Sequence, residues 1–137
     1  MRIIPRIDIK NDYVIKGINL EGLRKIGDPK SIIENYSSDY ADEILIMDSV
    51  ASLYGRNHLA NLIKIATKNI FVPITVGGGI RTLDDASKIL KSGADKVAIN
   101  TGAVKNPMIL KDISEHFGSQ SLVLSIRASD PKVPSVL

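Results

Sequence analysis

Two aspartates stand where short β-branched runs end. Asp8 closes the run Ile3 to Ile9, and Asp48 follows Glu43 to Met47. A carboxylate at the C-terminal end of a parallel strand is a candidate general acid or base. For Asp8, capping of the following loop is the competing role. Two carboxylates in one mouth favour a site, and Asp48 is expected in the same layer as Asp8. A glycine triplet, Gly77-Gly78-Gly79, follows a third run, Ile70 to Val76. Glycine admits close backbone approach and positive φ, and successive N–H groups there can cradle an anion. A tight turn is the plainer alternative. Asn100-Thr101-Gly102 follows a fourth run, Lys96 to Ile99. An amide, a hydroxyl and exposed N–H groups at neighbouring strand ends can converge on one phosphate. Gly78, Gly79, Asn100, Thr101 and Asp48 are therefore the candidate substrate-binding set.

Strand parity adds a second cluster. Residues i, i+2 and i+4 share one face of a strand. Arg2, Ile4, Arg6 and Asp8 share a face, and so do Lys96, Ala98 and Asn100. If Asp8 and Asn100 face a mouth, Arg2 and Lys96 point inward at the opposite end, near Glu43. That layer is either a charged plug or a polar gate. Lys16 lies in a long stretch after the first strand, read as a loop. Loops beyond ~12–15 residues often act as lids, with a solvated surface lysine as the alternative. His58 and His116 sit in helical stretches without ligand spacing and are read as ordinary histidines. No metal motif is present.

The elements that must position these residues alternate. A fifth run, Leu122 to Ile126, completes five strands. The third and fifth are near-continuous apolar runs, which suits strands buried on both faces. Asp28-Pro29 and Asn106-Pro107 read as helix N-caps followed by Pro, Thr82 with Asp85 as a capping box, and Gly93 and Gly118 as helix ends. Asn57 to Lys68 carries Leu59, Leu62, Ile63 and Ala66 at helical spacing. The order is βαβαβαβαβ, an α/β chain. A weak repeat, Ala41-Asp42-Glu43-Ile44 against Ala94-Asp95-Lys96-Val97, favours (β/α)8 units over a Rossmann sheet. The Rossmann phosphate turn should follow the first strand, and Lys10-Asn11-Asp12 is no such turn.

The 137 residues suit a single domain, and 44% hydrophobic content with 24% charge is a globular composition. A complete (β/α)8 barrel takes ~250 residues. The expectation is thus a half-barrel of about four βα units plus a fifth strand, over 1–126, followed by a tail over 127–137. The net charge of +3 is scattered, and aromatic residues are few, so no nucleic-acid partner is expected. With no cysteine, thiolate chemistry is excluded. No apolar run approaches the ~18 residues of a membrane span. Met1-Arg2-Ile3-Ile4-Pro5-Arg6 lacks the apolar core of a signal peptide, so a cytoplasmic chain is expected.

These motifs together resemble a known family. Arg2-Ile3-Ile4-Pro5 with Ile7-Asp8, Asp48-Ser49-Val50-Ala51-Ser52, Thr75-Val76-Gly77-Gly78-Gly79-Ile80, and Gly93 to Thr101 with Val104, Asn106 and Pro107 are similar to the cyclase subunit of imidazole glycerol phosphate synthase. The resemblance implies a (β/α)8 barrel of histidine biosynthesis that needs no cofactor. It implies two partners: a glutaminase subunit docked at the barrel bottom, supplying ammonia, and a phosphorylated ribonucleotide substrate. By motif, Asp8 and Lys16 take catalytic roles. Gly79, Asn100 and Thr101 bind phosphate. Arg2, Glu43 and Lys96 belong to the ring that gates ammonia.

Three departures accompany it. Arg127 stands where the resemblance places a second catalytic aspartate, and an arginine stays protonated. The second phosphate site falls in the half not covered. Arg6 replaces a small residue, and Ser52-Leu53-Tyr54-Gly55-Arg56 is unusual. These leave two alternatives, a paralogue supplying ammonia for amidotransfer in surface-polysaccharide sugar synthesis, or an inactive phosphate-binding half-barrel. Strands one and five are expected to be open edges beside an open apolar face, which predicts a homodimer, a complex with a complementary half, or poor solubility.

Overall fold

A computed structural model describes residues 1–17, 23–50 and 57–126. Among the described residues seven strands form one sheet in the order β3-β2-β1-β4-β5-β6-β7. They are β1 Arg6–Lys10, β2 Tyr13–Gly17, β3 Leu23–Gly27, β4 Ile44–Asp48, β5 Ile74–Gly77, β6 Lys96–Ile99 and β7 Leu122–Leu124. Strands β1, β4, β5, β6 and β7 run parallel to their neighbours in chain order. The helices α1 Pro29–Ser38, α2 Asn57–Asn69, α3 Leu83–Lys91, α4 Thr101–Lys105 and α5 Met108–Phe117 fill the crossovers.

Alternate strand residues choose the faces. Ile7, Ile9, Ile44, Ile46, Ile74, Val76, Val97 and Ile99 form one core with Ile33, Ile63, Ala66, Ile89, Ile109 and Ile113 from the helices. All the helices therefore cover one face. The strands follow one another without the reversal of order that marks a doubly wound sheet. This is the arrangement of one half of a (β/α)8 barrel, with four βα units and a fifth strand.

Local signals held where they were strongest. Asp28 caps α1, its carboxylate accepting from the Ser31 N–H at 3.0 Å. Thr82 and Asp85 form a reciprocal capping box at α3. The repeated Ala-Asp pair has one physical use in both copies. The Asp42 carboxylate accepts from the Ile3 N–H at 2.6 Å, and the Asp95 carboxylate accepts from the Ile74 N–H at 2.8 Å. Each aspartate N–H returns a bond to the same residue's carbonyl at 2.9 Å. The repeat is thus a latch holding each new strand to the foot of an adjacent segment.

Several expectations are corrected. The stretch after the first strand is not a loop at its described positions. The chain turns at Asn11, φ 54°, to lay β2 antiparallel on β1, and β3 pairs antiparallel with β2 in turn. Consequently β1 is not a sheet edge beyond Asp8; the edges are β3 and β7. The third strand begins at Ile74, because Pro73 has no N–H to give to a ladder. The fifth is buried on neither face, with Leu124 49% exposed. Asn106 ends α4 and does not cap α5, whose cap position is Pro107. The barrel-facing side is not apolar either. Arg6, Asp8, Thr75 and Lys96 share it with Leu45, Met47 and Ala98.

Candidate functional site

The barrel-facing residues stand in rows across the strands. Arg6, Leu45, Thr75 and Lys96 are register partners in one row, and Asp8, Met47, Gly77 and Ala98 in the next. Below the first row lie Glu43 and Arg2.

This foot is a closed set of ion pairs. The Glu43 side chain is 6% exposed. One oxygen accepts from Arg2 Nη2 at 2.9 Å and from Lys96 Nζ at 2.7 Å. The other accepts from the Thr75 hydroxyl. Burial by itself pushes the Glu43 carboxyl up. The Lys96 and Thr75 hydrogen bonds, the Lys96 charge and the Arg2 contact outweigh it and hold the group below its ordinary 4.5. The expected cluster of Arg2, Glu43 and Lys96 is therefore brought together. Thr75 was missed, although parity with Gly77 on the third strand places it on the inner face.

The mouth is a cavity of about 490 Å³ at the C-terminal ends of β1, β4, β5 and β6. Asp8, Asp48, Gly78, Gly79, Asn100 and Thr101 all line it. Gly78 and Gly79 have φ of 109° and 61°, backbone that favours glycine. A Cβ on Gly78 would also run into the Asp48 carbonyl oxygen, so the turn after β5 lies directly on the end of β4. Asn100 heads α4 with its carbonyl accepting from the Ala103 N–H at 2.9 Å, while its side chain makes no capping bond. Its amide stays available to the cavity.

Asp48 departs from its expected place. The register partner of Asp8 is Met47, and Asp48 stands opposite Ile9. A one-residue offset puts the two aspartates on opposite strand faces. Asp48 reaches the cavity only because the strand ends there. One of its oxygens accepts from the Val50 N–H at 2.9 Å, a turn-forming bond. Asp8 is paired with Arg6: the Arg6 Nε and Nη2 both donate to Asp8 Oδ1, at 3.0 and 2.8 Å. Among the described residues Oδ2 carries no hydrogen bond. Lys16 is not brought to the cavity. Asp8 pairs with Ile15, so Lys16 points to the other face of the hairpin, opposite Arg24. Tyr13, on the Asp8 side, is covered by the Lys25 ammonium at 3.7 Å from the ring centre.

Three cavity residues had no place in the sequence reading as ligand groups: Arg6, Arg81 and Lys105. Signals for two of them exist. Arg81 lies two residues past the glycine triplet, and Lys105 lies one helical turn after Thr101. Among the described residues no group of three His, Asp or Glu side chains converges to hold a metal ion. No described helix is long and apolar enough to cross a membrane. Arg127 and Ser52 to Arg56 lie outside the described residues.

The family profile described as histidine biosynthesis protein matches residues 2–136. The chain belongs to that family. Among curated relatives of the histidine biosynthesis family, it is 56% identical over 128 residues to imidazole glycerol phosphate synthase subunit HisF of Legionella pneumophila, covering 93% of this chain and 60% of the relative. It is 50% identical over 127 residues to the HisF of a Hydrogenobaculum species, covering 93% of this chain and 50% of the relative. Against the HisF of Corynebacterium diphtheriae it is 41% identical over 128 residues, again 93% of this chain and 50% of the relative. The chain spans about half the length of the curated relatives it matches, 50–60%. The resemblance drawn from the motifs thus stands, and so does the half-barrel.

Proposed function

We propose that this chain is the N-terminal half of a cyclase subunit of imidazole glycerol phosphate synthase, and that the mouth is its reaction site. One observation carries the reading. Asp8, the Gly78-Gly79 turn, Asn100 and Thr101 line one cavity although they come from three different strand ends. A proton-transfer group beside a phosphate cradle suits a phosphorylated ribonucleotide. In this reading Asp8 acts as acid and base through its unengaged oxygen. Gly78, Gly79, Asn100 and Thr101 hold a substrate phosphate, and Asp48 stiffens the wall beneath the glycines. Ammonia enters past Arg2, Glu43 and Lys96. It closes the imidazole ring as the substrate divides into imidazole glycerol phosphate and an aminoimidazole carboxamide ribotide.

The foot suits a docked glutaminase subunit. Met1 and Ile3, which flank Arg2 in sequence, and Phe71, shortly before the start of β5, are exposed apolar residues that a partner can bury. Lys16 joins the site in this proposal only if the hairpin turns its outer face inward.

The test has two arms. An amide NMR titration of the chain with ribose 5-phosphate should move Gly78, Gly79, Asn100 and Thr101 together. No response at those amides would end the phosphate assignment. In a barrel completed with the second half of a HisF relative, ammonium-dependent release of imidazole glycerol phosphate should vanish on Asp8→Asn. Full turnover in that variant would remove Asp8 from the chemistry.

A further inference from the structure

The cavity is electrically divided. Asp8 and Asp48 line its β1–β4 side, and the Arg6 guanidinium there is already engaged by Asp8. On the β5–β6 side stand Arg81 and Lys105, and among the described residues neither has an ion-pair partner.

The fold brings these two cations to one rim. Arg81 follows the glycine turn, and its N–H donates to the Asp85 carboxylate at 3.0 Å, which ties its backbone to the capping box of α3. Lys105 closes α4, four residues after Thr101, so the two share a helix face. The helix and the turn touch: a Cβ on Gly102 would meet the Ile80 carbonyl oxygen. Both side chains are exposed, with long stems that can follow a ligand.

We infer that Arg81 and Lys105 are the residues that make this cavity select a dianionic phosphate monoester and fix its orientation. The phosphate sits on the β5–β6 side, and the ligand's hydroxyl or amine donors point at Asp8. This rests on the phosphate reading above and adds to it. Backbone N–H groups and the Asn100 and Thr101 side chains recognise phosphate oxygens without counting charge. Two flanking cations count it. A charge pair in contact within a water-like dielectric is worth about five-fold in affinity for each unit of ligand charge. The second charge of a monoester therefore gains from each cation what a diester forgoes.

The experiment is an amide NMR titration of the whole chain with ribose 5-phosphate and with dimethyl phosphate, at low and high salt. The wild-type chain should bind the monoester more tightly, with affinity falling as salt rises. Arg81→Gln and Lys105→Gln should each weaken the monoester by at least about five-fold. The double variant should bind monoester and diester alike and lose most of its salt dependence. Arg81→Lys should keep the preference, and Lys64→Gln, on the outer surface of α2, should change nothing. Glutamine variants that retain wild-type preference and salt dependence would overturn the inference while leaving the phosphate site intact. A wild-type chain that ignores ribose 5-phosphate would overturn both.

Discussion

The foot and the mouth of the sheet both carry charges of each sign, and they use them differently. At the foot one buried carboxylate answers two cations and a hydroxyl. Both oxygens of Glu43 are occupied, and Lys96 is mostly covered, its side chain 27% exposed. At the mouth the charges are spread over a cavity, half-exposed and incompletely matched. The Arg6 and Asp8 side chains are 47% and 36% exposed. Among the described residues Asp8 keeps an oxygen without a hydrogen bond, and Arg81 and Lys105 have no ion-pair partner. A saturated cluster resists change because every group lost strands another in a poor solvent. An unsaturated one gives up little when altered but has valence left for a ligand. The same sheet therefore carries a satisfied cluster at one end and, in the proposed reading, a recognition site at the other, two rows of side chains apart.

The sharpest way to break this contrast is at Glu43. Glu43→Ala leaves Lys96 and Thr75 without their acceptor and should cost about 1–3 kcal/mol in urea unfolding. A loss near zero would mean that the foot is as loose as the mouth. The pH dependence has a definite sign. Folding lowers this carboxyl below 4.5. The unfolded chain thus holds the proton more tightly, and the contribution is complete above that value. It is lost as pH falls through the lower, folded value. Glu43→Gln should flatten that acid limb of the stability curve.

A substitution at Gly78 joins the two properties in one place. Gly78→Ala forces a side chain into φ 109° and onto the Asp48 carbonyl. It should cost about 1–3 kcal/mol and remove the response to ribose 5-phosphate. Unchanged unfolding would show that the turn relaxes away from β4. Thr82→Ala removes one half of the capping box behind Arg81. About 1 kcal/mol should disappear from thermal stability, with hydrogen exchange rising in the first turn of α3. The smallest change in stability is expected at Asp8. Asp8→Asn breaks an exposed pair and should shift unfolding by less than about 1 kcal/mol. A large loss would make Asp8 a structural residue of the foot's kind.

Residues near one another in sequence were legible. Asp28-Pro29 and the Thr82–Asp85 box each depend on contacts within a few positions, and the strand Lys96–Ile99 is marked by its own short β-branched run. Parity, which needs only one strand, was enough to place Arg2 and Lys96 beside Glu43. The hairpin β2–β3 was not read, since its alternation in Tyr13 to Lys16 is short and its partner strand Leu23 to Gly27 is charged and exposed. Lys16 went to the wrong face for the same reason, because the face is set by pairing across a turn.

The sequence by itself determined the alternation of the parallel strands with helices, the apolar positions of those helices, and the chemical types available at each strand end. Those follow from periodicity and from local backbone limits. Tertiary structure alone decided that Met47 and not Asp48 stands level with Asp8. It also decided that Arg6 reaches up to Asp8, and that Arg81 and Lys105 line the same cavity. Each depends on the register between strands or on the contact between α4 and the glycine turn. One residue of register reverses the face of every side chain in a strand, and no single strand contains that information.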